Sequence, residues 1–152
     1  MKLVVVARRD LDMSPGKLAA QVGHGVHMAM DKLKRAQLKR WDDDGAAIVV
    51  LEVPGFADLK RLKALAKQHG VRAKAVEDEG LTEVRSGSWT VLAVGPDESA
   101  RVDLVTGKLR LYGSGPAEAS VAEASGEAAG EPCERIAKLE AEIRELRSRL
   151  ES

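Results

Sequence analysis

Lys17, Gln21 and His24 stand at i, i+4 and i+7, a spacing that puts a cation, an amide and an imidazole on one face of a helix. The residues just before them set where that helix starts. Ser14 is an N-cap type whose oxygen takes a free backbone N–H, and Pro15 fits the first helical position, so Lys17 falls near N3. A cation there adds to the positive end of the helix dipole, at a cost of a few tenths of a kcal/mol unless an anion is present. The arrangement therefore points to an anion site. The opposite side carries Leu18, Val22, Val26, Ala29 and Leu33 and reads as the core face. Taken alone, the polar face is a solvated stripe. Gly23 and Gly25 argue for more, because a glycine inside a helix costs about 1 kcal/mol and needs a reason such as close backbone approach.

A second polar cluster runs from Asp78 to Ser88 and is followed by Thr90. On its own, Asp78-Glu79-Gly80 reads as an acidic turn. Its position after a strand is where ligands bind in α/β folds, on the edge that helix N-termini also approach, so Lys17 and Asp78 are expected to face each other. Other chemistries are excluded. His24 and His27 have no third ligand beside them for a metal. Gly16-Lys17 ends like a P-loop, but Leu11 and Leu18 stand where glycine and Ser or Thr belong. No Gly-x-Ser-x-Gly or cysteine–histidine nucleophile arrangement occurs. The single cysteine, Cys133, rules out an internal disulfide framework.

These residues need a frame, and the chain's apolar runs supply one. Lys2 to Ala7 reads as a buried strand, Pro15 to about Lys39 as one long helix, and Ala46 to Val53 as a second strand. Ala57 to His69 is amphipathic and Gly70 a natural stop. Val71 to Val76 and Trp89 to Val94 are strand-like, Ser99 to Thr106 a short helix or turn, and Lys108 to Tyr112 a short edge strand. The order β-α-β-α-β-β predicts an α/β layer architecture with a mixed sheet in residues 1–112. No run of 18 apolar residues and no signal-peptide pattern is present, so no membrane association and a cytoplasmic location are expected. Lys and Arg outnumber Asp and Glu by 19 to 15 over residues 1–112 and are outnumbered 9 to 5 over 113–152. A mildly basic body suits a polyanionic partner.

Residues 113–132 are almost entirely Gly, Ala, Ser, Glu and Pro and read as a disordered linker. Over residues 133–152, Ile136, Leu139, Ile143, Leu146 and Leu150 form a heptad seam. In a parallel pair, Arg135 faces Glu140 and Glu142 faces Arg147. This tail reads as a coiled-coil helix that self-associates, the alternatives being docking on its own domain or on another protein.

The motifs together resemble the type 2, archaeal and eukaryotic, peptidyl-tRNA hydrolases. The matches are Arg-x-Asp-Leu at Arg8 to Leu11, Met-Ser-Pro-Gly-Lys-Leu-Ala-Ala-Gln-x-x-His at Met13 to His24, and Asp-x-Gly-x-Thr-Glu at Asp78 to Glu83. Two more follow, Gly-x-x-Thr-Val-Leu-Ala-x-Gly-Pro at Gly87 to Pro96 and Val-Thr-Gly-x-Leu at Val105 to Leu109. The resemblance implies hydrolysis of the ester between a peptide and tRNA, a mixed four-stranded sheet flanked by helices, a homodimer, and no metal or organic cofactor. It places the catalytic residues at Lys17, Asp78, Thr82 and Thr90, with Gln21 and His24 beside them as substrate contacts. Two positions depart from the family pattern: Glu79 replaces an alanine, and Ser88 replaces the threonine of Gly-Thr-x-Thr. A carboxylate at Glu79 is expected to repel the substrate or raise the pKa of Asp78.

Ester cleavage needs a positioned water, an acceptor to orient it and a stabilised oxyanion. Asp78 is assigned the water, Lys17 the oxyanion or a phosphate, and Thr82 and Thr90 the water or the ribose hydroxyls. Arg8 and Arg85, with Lys32 and Lys39, are expected to contact phosphates. Trp89 reads as a core or interface residue, with stacking on a terminal base as the alternative. The rival to the enzyme is a tRNA-binding or assembly module that has lost turnover; an esterase acting on another acylated RNA shares the same chemistry.

Overall fold

The computed structural model describes residues 1–31, 33–78 and 84–115. The expected linker and heptad helix, and the residues Lys32, Glu79 and Thr82, lie outside the described residues.

Strand β1 (Lys2–Arg8) is the centre of the fold because five residues in a row, Leu3 to Ala7, are apolar and fully covered. A continuous apolar run needs cover on both faces. Val4 and Val6 point into one core with Leu59, Leu62 and Ala66 of α3 (Phe56–Gln68) and Val102 and Val105 of α4 (Ser99–Thr106). Leu3, Val5 and Ala7 point into the other, with Ala29 of α1 (Pro15–Met30) and Trp41 of α2 (Arg35–Asp43). The result is three layers, helices on both sides of one sheet.

β1 pairs in parallel with β2 (Ala47–Val53) and antiparallel with β4 (Trp89–Asp97), which pairs antiparallel with β3 (Ala73–Glu77). A last strand, β5 (Arg110–Leu111), lies antiparallel on β2, giving the order β3-β4-β1-β2-β5. The sheet is mixed, as expected, but has five strands where the family resemblance implied four. The fifth is shorter than the Lys108–Tyr112 run that the sequence suggested. It pairs only with Leu51 and Glu52, and the Glu52 carboxylate fixes it by accepting from Arg110 Nη2 and the Gly113 N–H, both at 3.0 Å.

The single helix expected from Pro15 to about Lys39 is two helices. α1 has 16 residues and so spans about 24 Å, close to the roughly 23 Å of the seven-residue strand beneath it. Straight continuation would carry Leu38 and Trp41 past the sheet. The break after Met30 turns the chain so that α2 buries Trp41, whose indole N–H donates to Ala47 O at 3.3 Å. α3 stops as expected: Gly70 takes φ 64°, and the Val71 N–H returns to Ala66 O at 2.9 Å.

Candidate active site

Because β1 and β3 run in the same direction and β4 runs opposite, the end of β3, the start of β4 and the N-terminus of α1 meet at one edge of the sheet. Ser14 caps α1, its Oγ accepting the Lys17 N–H at 3.3 Å, and Pro15 occupies the first turn. Lys17 is therefore at N3, and its Nζ donates to Asp78 Oδ2, an ion pair with 10% and 5% of the two side chains exposed. The loop that carries Asp78 is tied at both ends. Its N–H donates to Ser88 O at 2.9 Å, and its carbonyl accepts the Gly87 N–H at 2.7 Å.

Gln21 joins the pair from one turn further along α1. Its Nε2 donates to Asp78 Oδ2 at 3.0 Å, and its Oε1 accepts the Thr90 hydroxyl at 2.5 Å. Thr90 has no exposed surface and Gln21 has 4%. An amide can be turned either way at little intrinsic cost, but Asp78 settles the matter here: a carboxylate only accepts, so the NH2 group must face it and Oε1 is left to accept the Thr90 O–H. The chain of contacts Lys17–Asp78–Gln21–Thr90 is thus an oriented network in which each buried donor meets an acceptor.

The sequence placed Gln21 on a polar stripe with Lys17 and His24. The structure instead buries it beside Gly25 and Ala29, on the line where α1 touches the sheet, and leaves His24 exposed. The signal was Gly25. A Cβ there would stand 3.4 Å from Val91 Cγ2 and 3.5 Å from Val5 Cγ1, so this glycine marks the close approach that the sequence asked for, whereas one at Gly23 would meet nothing within 4 Å. Gln21 is one turn before Gly25 and shares its contact with the sheet.

Among the expected phosphate contacts, Arg85 and Lys39 are exposed, and Lys39 pairs with Asp43 at 2.6 Å. Arg8 has partners within the fold: two hydrogen bonds to Asp10, at 2.9 and 2.6 Å, and one to Trp89 O at 2.9 Å. These bonds from Arg8 hold the Asp10 carboxyl below its ordinary pKa against the opposing effect of burial. Among the described residues no group of three or more His, Cys, Asp or Glu is arranged to hold a metal, and no helix is long and apolar enough to cross a membrane.

A family model described as peptidyl-tRNA hydrolase PTH2 matches residues 1–112. A peptidyl-tRNA hydrolase of Thermoplasma acidophilum is 35% identical over 113 residues, covering 72% of this chain and 97% of its own. One from Thermococcus onnurineus is 41% identical over 113 residues, covering 72% and 96%. The mitochondrial peptidyl-tRNA hydrolase 2 of Homo sapiens is 39% identical over 114 residues, which is 73% of this chain and 64% of the human protein.

Proposed function

The chain belongs to the PTH2 family of peptidyl-tRNA hydrolases, and from that premise we propose that it cleaves the ester between peptide and tRNA at the Lys17–Asp78 pair. The observation that carries this reading is the buried ion pair itself, locked in orientation by Gln21 and Thr90. Lys17 and Gln21 already hold the carboxylate in place, so its part is to orient the attacking water rather than to strip it of a proton. Water oxygen adds to the ester carbonyl carbon, negative charge develops on the carbonyl oxygen, and the proton passes to the departing ribose oxygen. Lys17, with the positive end of α1 behind it, stabilises that charge. Thr90 is buried and acts through Gln21, as a positioning residue. Thr82, in the loop after Asp78, is assigned the ribose hydroxyls or the water, and His24 and Arg85 the flanking RNA.

The products are free tRNA and peptide, which makes this a step of translation; the reaction belongs in the cytoplasm, uses no cofactor and draws on the mildly basic body for the polyanion. Homodimerisation through the heptads of residues 133–152 is part of the same proposal. Release of free tRNA from an N-blocked aminoacyl-tRNA tests the reaction. Asp78→Ala is expected to lose about 10²- to 10⁴-fold in kcat while keeping its circular dichroism. Full turnover by a folded Asp78→Ala protein would remove the assignment.

A further inference from the structure

On the other face of the same sheet edge lies a group of side chains that this chemistry does not use. Glu77 and Trp89, cross-strand partners at a bulge, immediately precede Asp78 and Thr90; Trp89 packs on the α3 side of the sheet, whereas Thr90 and Asp78 bond to Gln21 of α1 on the other. The Trp89 indole N–H donates to Glu77 Oε1 at 2.9 Å, which sets the plane of the ring. Phe56, the first residue of α3, meets it edge to face, with ring centroids 5.4 Å apart. Lys63 Nζ lies 4.4 Å from the Trp89 ring centre and the Arg8 guanidinium 5.7 Å from that of Phe56.

The chain has only four aromatic residues, and two of them meet at this corner, where Phe56 leaves 44% of its surface in water. Filling a core does not account for that. Phe56, Lys60, Lys63 and Lys67 stand at i, i+4, i+7 and i+11, so the open ring begins a stripe of three lysines along one face of α3. All three are exposed, and among the described residues none of them forms an ion pair. An apolar peptide side chain would use the rings and ignore the lysines, and an acidic peptide would do the reverse. A strand that alternates planar bases with phosphates uses both.

Resting on the hydrolase reading above, we propose that Phe56, buttressed by Trp89, is a stacking platform for the bases of the single-stranded 3′ end of tRNA, with Lys60 and Lys63 taking its phosphates. Trp89 and Thr90 are consecutive but face opposite sides of the sheet, so a strand lying on the platform passes round the end of the sheet to reach Lys17 and Asp78.

The full chain is assayed on N-blocked aminoacyl-tRNA and, separately, for binding of two labelled acceptor-stem hairpins, one ending in single-stranded CCA and one without it. Phe56 is exposed, so Phe56→Leu keeps the fold. It is expected to raise KM and weaken the CCA hairpin about tenfold, with kcat within twofold of wild type and with the blunt hairpin unaffected. Phe56→Tyr restores both, and replacing Lys60 and Lys63 by Gln weakens the CCA hairpin and flattens its salt dependence. Equal binding of the CCA hairpin by wild type and Phe56→Leu overturns the platform, as does equal loss on both hairpins. The two readings separate cleanly. Turnover that depends on Asp78 without Phe56-dependent binding leaves the hydrolase and removes the platform, and Phe56-dependent binding without any turnover does the opposite.

Discussion

Replacing Thr90 by valine keeps the shape of a side chain with no exposed surface and removes the hydroxyl that donates to Gln21 Oε1. Gln21 Oε1 is then buried without its donor, so Thr90→Val should lose about 1–3 kcal/mol in urea unfolding. Its kcat should fall while KM stays near wild type, since the residue acts through Gln21 on Asp78. The pair Arg8–Asp10 gives a pH test. Arg8 holds the Asp10 carboxyl below its ordinary value of 3.8, so the folded protein binds that proton more weakly than the unfolded chain. The stability from this pair is present above the unfolded value and is lost as pH falls through the folded one. Asp10→Asn should therefore be less stable than wild type at neutral pH, and the gap should narrow progressively in denaturation curves taken at pH values falling below 3.8. Lys17 at N3 was legible because Ser14 and Pro15 fix the register of the helix. The burial of Gln21 was not read from the sequence, because helical periodicity places it beside Lys17 and its one local sign was Gly25 a turn further on.

The helices show where local pattern stops being sufficient. Residues 15–39 carry apolar positions that suit one continuous helix, and nothing local marks the break after Met30. It follows from the length of the sheet, which is set by residues far away. The strands were more legible, since β1, β2 and β4 are apolar enough to be recognised alone, while the two-residue β5 depends on the carboxylate of Glu52. Two glycines of α1 give opposite expectations. Gly23→Ala meets open space and should raise stability by about 0.5–1 kcal/mol through helix propensity. Gly25→Val adds branches beyond a Cβ that already touches Val91, Val5 and Ala93, and should lower stability by about 1–3 kcal/mol, both readable by thermal unfolding.

At the scale of the molecule, the architecture brings the N-terminus of α1 and the ends of β1 and β3 to one edge, so that residues 61 positions apart, Lys17 and Asp78, form one charge pair. The α/β class and this facing were legible from the order of elements, because ligands in such folds bind at strand ends. A chain shortened to Gly115 keeps all the described strands and helices and should retain turnover, and its mass in solution beside that of the full chain assigns assembly to the body or to the tail. On the proposed reading, Lys17 and Asp78 act as one unit. The direct test is a double-mutant cycle on kcat for N-blocked aminoacyl-tRNA, using Lys17→Ala, Asp78→Ala and the two combined. Each single change should cost at least about 10²-fold and the pair little more than either alone, as for residues that work together; losses that multiply, or either single variant turning over like wild type, would contradict it.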